Sequence, residues 1–225
     1  MPDRRSQTDF ATAREILVSG TVALGIQLSS NQVDSFLSYL SLLFQWGSKF
    51  NLTSIKEPGL VVRRHFLDSL AILPFLSSTG RLLDIGSGAG FPGLPLKIVL
   101  PEKEVVLVES RRKKSNFLRE LTRKLNIKGV QIIEKRAEEL KTNEVGSFDE
   151  VVTRAFGSVD LFLKLSFPLL SNKGRSLIMH GPKGVELFHK LKRDAIDFGF
   201  SEARLEGVRL PMGDEQRRIL IFLKR

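Results

Sequence analysis

The stretch RLLDIGSGAGFPGLPLKIVLPEKEVVLVES, residues 81–110, decides how this chain folds. Leu82, Leu83 and Ile85 make a short apolar run closed by glycines, the pattern of a buried strand. Gly86-Ser87-Gly88-Ala89-Gly90 then forms a turn with almost no side-chain bulk. Pro92 follows where a helix begins, a first-turn position at which its missing N–H costs nothing. A second apolar run, Val105 to Val108, ends in the acid Glu109. Strand, glycine turn, helix, strand, acid is the plan of a nucleotide-binding βαβ unit.

The flanking sequence extends this unit in both directions. After Glu109 the periodicity predicts a helix over 112–125, a strand over 130–133, a strand over 148–152 and a helix over 159–170. A fifth strand over 174–179 and a helix over 185–198 follow, then two late strands near 203–210 and 217–223. The link between those last two is too short for a helix, so at least one of them runs antiparallel. Upstream, spaced apolar residues predict a helix over 8–27 that ends around Gly25. A second, strongly amphipathic helix runs from a cap at Ser30 or Asn31 through Phe44, and helical spacing resumes over 60–76 with Pro74 near its end. The chain therefore divides into a helical extension, 1–78, and an alternating α/β part, 79–225.

Composition narrows the chemistry. The 225 residues contain no cysteine, which removes disulfides, thiolate metal sites, iron–sulfur clusters and cysteine nucleophiles together. His180 and His189 lack partners at metal-ligand spacing, so no metal is expected. No apolar run approaches a membrane span and the N-terminus lacks a signal-peptide core, so the expected setting is cytoplasmic, with no membrane partner. The formal charge of +10 favours polyanionic partners.

The glycine spacing separates two cofactor classes. A dinucleotide fingerprint, Gly-x-Gly-x-x-Gly, wants its third glycine where this chain has Phe91. Here glycines fall at 86, 88 and 90 behind Asp84, and this form, Asp-x-Gly-x-Gly-x-Gly, resembles the first motif of S-adenosylmethionine-dependent methyltransferases. That ligand has no phosphate, so the turn need only let backbone approach it closely. An acid near the turn suits its ammonium group, and Glu109 has the two oxygens needed to accept both ribose hydroxyls. A nicotinamide-dependent oxidoreductase is the alternative that Phe91 disfavours.

Further stretches sharpen the assignment. Lys49–Ile55 (KFNLTSI), His65–Leu70 (HFLDSL), Asp84–Leu96 (DIGSGAGFPGLPL), Arg136–Leu140 (RAEEL) and Phe148–Ala155 (FDEVVTRA) occur in this order. Together they resemble the bacterial small-subunit ribosomal RNA guanine-N7 methyltransferase family, over nearly the whole chain from about residue 30. The resemblance implies a class I, Rossmann-like, seven-stranded sheet with an N-terminal helical extension, S-adenosylmethionine as methyl donor, and N7 of a guanine in 16S rRNA or the 30S subunit as acceptor. It implies further that Gly86 and Phe91 contact the donor, that Ala137 and Glu138 lie along its adenine, and that Arg154 sits where donor meets target base. With Asp84, Gly88, Gly90 and Glu109 these complete the expected donor site. A protein that keeps the fold and binds RNA without catalysis is the remaining alternative, and a monomer is expected.

The sequence is consistent with N7 chemistry. Pyrimidine C5 methylation commonly uses a cysteine nucleophile and radical methylation a cysteine-bound cluster, and this chain has neither. Amino-group enzymes carry an Asn/Asp-Pro-Pro-aromatic motif where this chain reads Thr153-Arg154-Ala155-Phe156. Guanine N7 already has an in-plane lone pair, so no catalytic base is assigned. Arg111, Arg112, Lys113 and Lys114 either follow an RNA backbone or form a solvated first helical turn, although a basic first turn opposes the helix dipole. Arg63-Arg64 and Arg217-Arg218 read as solvated faces, and His65 as a packed rather than a catalytic histidine.

Overall fold

The computed structural model describes residues 4–48, 50–145, 147–154 and 157–225, with backbone alone for residues 4–7, 144 and 145. Lys49, Ala155 and Phe156, which stand in motifs quoted above, lie outside the described residues. Seven strands form one sheet in the order β3-β2-β1-β4-β5-β7-β6. They are β1 (Arg81–Ile85), β2 (Glu104–Val108), β3 (Val130–Ile133), β4 (Phe148–Arg154), β5 (Leu170–His180), β6 (Phe200–Arg209) and β7 (Gln216–Lys224). The first five are parallel, and β7 runs antiparallel to both β5 and β6. The strand order reverses on either side of β1, which connects onward to β2 but also pairs with β4. Ligands of open α/β sheets bind outside the carboxyl ends of strands at such a reversal.

Helices cover both faces. On one face pack α1 (Arg4–Ala23), α2 (Ser30–Gly47), α5 (Gly93–Val99) and α6 (Arg112–Lys124), whose buried side chains share a cluster with Leu82, Val105 and Leu107 of the sheet. On the other lie α8 (Val159–Ser166) and α9 (Gly184–Asp197), packed with Leu83, Val106 and Ile178. The side chains of α1 and α2 thus bury into the same apolar cluster as the sheet. An aromatic group knits them together: Tyr39 and Phe66 lie 5.1 Å apart, and Tyr39 stacks on Phe91 of the glycine turn at 5.4 Å. Helix α2 starts one residue earlier than expected, because Ser29 and Gln32 form a reciprocal capping box. Gln32 also donates to the Ile98 carbonyl at 2.9 Å, tying α2 to α5.

The segment expected as one helix over 60–76 is broken. It comprises α3 (Pro58–Val61), a π-helical turn (Val62–Leu67), α4 (Asp68–Leu70) and a 3-10 turn (Leu73–Phe75). The widened π turn carries His65 and delivers Asp68 just after it. Pro92 precedes α5 as its cap rather than entering its first turn. Strand β5 begins four residues earlier than its apolar run suggests, because Leu170 pairs with Phe148 before an irregular stretch of register.

The amino-terminal end of the sheet is fastened by buried charge. Lys103 Nζ lies 2.8 Å from Glu150 Oε2, with both side chains almost wholly buried. The same ammonium donates to the carbonyls of Ser77 and Thr79, and Arg175 reaches the other Glu150 oxygen at 3.2 Å. Asp149 accepts from the Arg81 amide at 2.8 Å and from Ser171, joining β1, β4 and β5.

Candidate active site

The site forms at the carboxyl ends of β1 and β2. Beyond Ile85, the amides of Gly86 and Ser87 both donate to the Val108 carbonyl at 3.0 Å, so the turn continues the pairing of the two strands. Gly88 donates to Glu109 Oε2 at 3.0 Å, and the Arg111 amide donates to Glu109 Oε1 at 2.7 Å. Glu109 is thereby fixed between the glycine turn and the start of α6, and each of its oxygens keeps a further lone pair. Ser115 donates to the Glu109 carbonyl from inside α6, fixing the backbone of the same residue.

The glycines have separate reasons. Gly90 has φ +99°, and a Cβ there would lie 2.6 Å from the Tyr39 hydroxyl and 2.8 Å from a Leu94 methyl. The turn therefore packs so closely on α2 and α5 that only glycine fits. Tyr39 donates to the Ala89 carbonyl beside it, and burial holds its hydroxyl well above the usual phenol range. Gly88 has φ +61° and faces open space, its nearest neighbour to a Cβ being Lys114 Nζ at 3.8 Å. A side chain at 88 would fill the gap between the turn and Lys114, which is the space a ligand requires.

Beside the turn lies a cavity of about 390 Å³. Of the residues expected to hold the donor, Gly86, Glu109, Ala137 and Glu138 line it. Arg111 and Lys114, expected on RNA, line it too, as do Lys135 and Arg136. The short 3-10 turn Ala137–Glu139 presents two of these groups; its capping box, in which the Arg136 amide donates to Glu139, sets their direction. A second cavity of about 450 Å³ opens on the other side of Arg111 and Lys114, walled by Phe50–Leu52 and by Arg112 and Lys113.

Asp84, Gly88, Gly90, Phe91 and Arg154 do not line the first cavity. Asp84 is fully buried under the turn, where its Oδ2 accepts from the Gly93 amide at 2.9 Å and anchors the start of α5. Its other oxygen is buried without a partner, and burial, ahead of every other influence, raises its carboxyl from 3.8 to about 7. Strand alternation explains the placement, since Asp84 shares the α5 face with Leu82. Phe91 is buried in a stack, with Tyr39 on one contact and the His65 ring at 4.6 Å on another.

Arg154, at the end of β4, belongs to a polar cluster that spacing alone does not reveal. Its guanidinium lies 5.1 Å from the Phe91 ring centre, 3.2 Å from His65 Nδ1 and 3.3 Å from Asp68 Oδ2. It also donates to the Arg64 carbonyl at 3.2 Å. Asp68 is buried, and its Oδ1 accepts from Arg217 Nε of β7 at 2.6 Å. Arg217, expected on a solvated face, is thus drawn inward by a carboxylate far away in sequence. His65 Nε2 lies 2.8 Å from Thr53 Oγ1. Burial first, and then the charge of Arg154, lower the imidazole from 6.5 to about 4, so His65 is neutral at physiological pH. The HFLDSL stretch shows one acid inside an apolar run but nothing of the arginines that meet it.

This sheet, with its glycine turn, the acid that ends β2 and its strand-end cavity, defines a class I methyltransferase, with S-adenosylmethionine as methyl donor. A methyltransferase from Pyrococcus furiosus superposes with a TM-score of 0.56 at 18% identity, covering 87% of this chain and 99% of that one. A precorrin-6y C5,15-methyltransferase from Geobacter metallireducens gives 0.53 at 16% identity, covering 77% and 91%. Residues 32–215 match the family profile described as rRNA small subunit methyltransferase G, and the chain belongs to that family. Ribosomal RNA small subunit methyltransferase G of Geotalea uraniireducens is 38% identical over 95% of this chain and 97% of its own length. The corresponding protein of Stutzerimonas stutzeri is 36% identical, covering 92% and 94%.

Proposed function

We propose that this chain transfers a methyl group from S-adenosylmethionine to N7 of one guanine in 16S rRNA, acting as a monomer in the cytoplasm. The observation that carries this reading is the cavity in which Gly86, Glu109, Ala137 and Glu138 meet Arg111 and Lys114, a donor pocket bordered by cations. When bound, the donor supplies a methyl carbon made electrophilic by its sulfonium charge. Glu109 holds the ribose, Gly86 and Gly88 admit the ligand to the backbone, and Ala137 with Glu138 flank the adenine. Asp84 acts from below, keeping the turn and α5 in register through the Gly93 amide. Arg154 borders the side from which the base approaches, and Arg111 to Lys114 face the RNA backbone.

The acceptor needs no deprotonation, because N7 presents a lone pair in the plane of the ring. The chain's contribution is alignment and exclusion of water, and orientation of this kind supplies about 7–11 kcal/mol in favourable systems. A neutral His65 fits that scheme, since it neither needs to take a proton nor adds a second cation beside Arg154. An arginine or lysine donating to O6 can hold the guanine while leaving the N7 lone pair free to attack. Methylation then places a positive charge on the base, so neighbouring cations favour release of the product.

The test uses methyl-labelled donor with 30S subunits and with naked 16S rRNA, followed by mapping of the modified base. Label at a single guanine N7 is expected. Label at another atom, or on another RNA, overturns the substrate assignment.

A further inference from the structure

Helix α6 carries two kinds of basic residue. In its later turns Arg119 pairs with Glu134, and Arg123 and Lys124 pair with Glu120. Around its start, Arg111, Arg112, Lys113 and Lys114 form no ion pair among the described residues. Four like charges at the positive end of a helix dipole repel one another and the helix itself. Glu109 accepts from the Arg111 amide at 2.7 Å, but its carboxylate pairs with none of the four side chains, and a bound anion would relieve their repulsion.

The second cavity gives this charge a shape. It lies between the α6 start and Phe50–Leu52, shares the Arg111 and Lys114 wall with the donor cavity, and at about 450 Å³ falls within the ~300–1,000 Å³ typical of small-ligand sites. Phe50 is half-buried, its ring held by Trp46 at 5.6 Å. Lys113 Nζ stands 5.1 Å from the Phe50 ring centre, and Asn51 is exposed at the rim. An aromatic face, an amide and a cluster of unpaired cations are the components that bind an unstacked nucleotide: ring against ring, cations against phosphate.

We propose that this second cavity takes a single-stranded nucleotide of the rRNA near the target guanine, its base on Phe50 and its phosphate on Arg112 and Lys113. The flexible Lys113 arm that now covers the ring swings to the phosphate. The subsite rests on the rRNA methyltransferase reading above and adds a preference for RNA that is locally unpaired beside the target, because a paired base must first be unpaired and unstacked to reach Phe50.

The test compares Phe50→Leu, which keeps apolar bulk without the ring, with Phe50→Tyr, which keeps the ring. Steady-state methylation of naked 16S rRNA and of 30S subunits is measured, with donor affinity determined separately by calorimetry. Phe50→Leu should raise KM for naked rRNA roughly ten- to hundredfold, the range expected for loss of one base–aromatic stack. Donor Kd should remain within twofold, and Phe50→Tyr should behave as the unsubstituted chain. Replacing Arg112 and Lys113 together by glutamine should reduce the salt dependence of RNA binding by about 1.4, at ~0.7 per cation on a single strand. An unchanged KM for Phe50→Leu, equal impairment of Phe50→Tyr, or an unchanged salt slope overturns the subsite. Impairment on 30S subunits alone assigns the cavity to a ribosomal protein and also overturns it. No methyl transfer by the unsubstituted chain to either substrate defeats the proposed function itself, whereas normal transfer with unaffected variants defeats only the subsite.

Discussion

Replacing Asp68 with asparagine should destabilise the fold by about 3 kcal/mol. Asp68 is 4% exposed in its side chain and binds two arginines, Arg217 at 2.6 Å and Arg154 at 3.3 Å. Asparagine has nearly the same shape but no charge, and its amide nitrogen must face one of the two guanidiniums. One contact therefore becomes donor against donor, while both cations lose the carboxylate that balances them. Removing one partner of a buried ion pair typically costs about 3–5 kcal/mol. The arginine side chains are 19% and 21% exposed, so water recovers part of that loss and the lower end of the range applies.

The measurement is urea unfolding followed through Trp46, the only tryptophan of the chain, which packs on Phe50 and Phe117. The midpoint should fall at unchanged m, and the melting temperature should drop by roughly 6–12 °C, at ~2–4 °C per kcal/mol for a chain of this size. Arg217→Met in the Asp68→Asn background supplies the internal control. It removes a cation that the first substitution left unbalanced, so the double variant should lose less than the sum of the singles. A loss below about 1 kcal/mol for Asp68→Asn, outside the range expected for a buried ion pair, or strict additivity in the double variant, would refute the account.

Three other perturbations follow from the site. Gly90→Ala should cost about 2–4 kcal/mol, because it combines a left-handed backbone with a Cβ 2.6 Å from the Tyr39 hydroxyl; native-like stability in urea would show that α2 can move away. Glu109→Gln should weaken S-adenosylmethionine binding roughly ten- to hundredfold by calorimetry, the worth of hydrogen bonds to a charged group, and an unaltered Kd would remove Glu109 from the donor site. Asp84→Asn should change how stability depends on pH. With its carboxyl raised from 3.8 to about 7, folded Asp84 holds a proton that the unfolded chain has lost, so its stabilisation falls as pH rises through that window. His65, lowered from 6.5 to about 4, acts in the opposite sense and adds stability as pH rises from 4 to 6.5. Asp84→Asn should therefore turn the stability profile between pH 4 and 6.5 upward, by as much as ~1.4 kcal/mol per pH unit relative to the unsubstituted chain, and parallel profiles would contradict a protonated Asp84.

What was legible in the sequence was local. Strands β1, β2 and β3 are short apolar runs closed by glycine, proline or charge, and their observed limits fall within a residue of those signals. The short link before β7 required an antiparallel strand, and β7 is one. The glycine turn could be assigned to its ligand class because the spacing of three glycines and an acid is a backbone requirement, written residue by residue. The Asp68 cluster was not legible, because Asp68 and Arg217 meet only after the whole sheet has formed, and a charged residue at a strand start looks the same in sequence whether it faces water or a buried carboxylate. Asp84 is an intermediate case. Its proximity to the glycines suggested a ligand contact, yet the two-residue period of β1 already places it on the Leu82 face beneath α5.

The distribution of charge along the strands links these observations. At the amino-terminal end of the sheet, Lys103 and Glu150 pair in the interior with Arg175 reaching in from the rim, and Asp149 accepts from the Arg81 amide and the Ser171 hydroxyl, joining three strands. A buried network of this kind adds little net stability, but breaking it is costly, so it fixes strand register. At the carboxyl end the balance is left open: Asp84 keeps an unmet oxygen, and the four cations around the α6 start have no acid to pair with among the described residues. A chain selected for stability alone would close both ends. Leaving one end open costs folding energy that bound ligands can return, and in the proposed function these are the methyl donor at the cavity and the RNA backbone along α6. One stretch, Gly86 to Lys114, carries both the glycine turn and the α6 start, so the proposed donor site and the proposed RNA contact lie side by side, as a methyl transfer from a sulfonium to a nucleic acid requires.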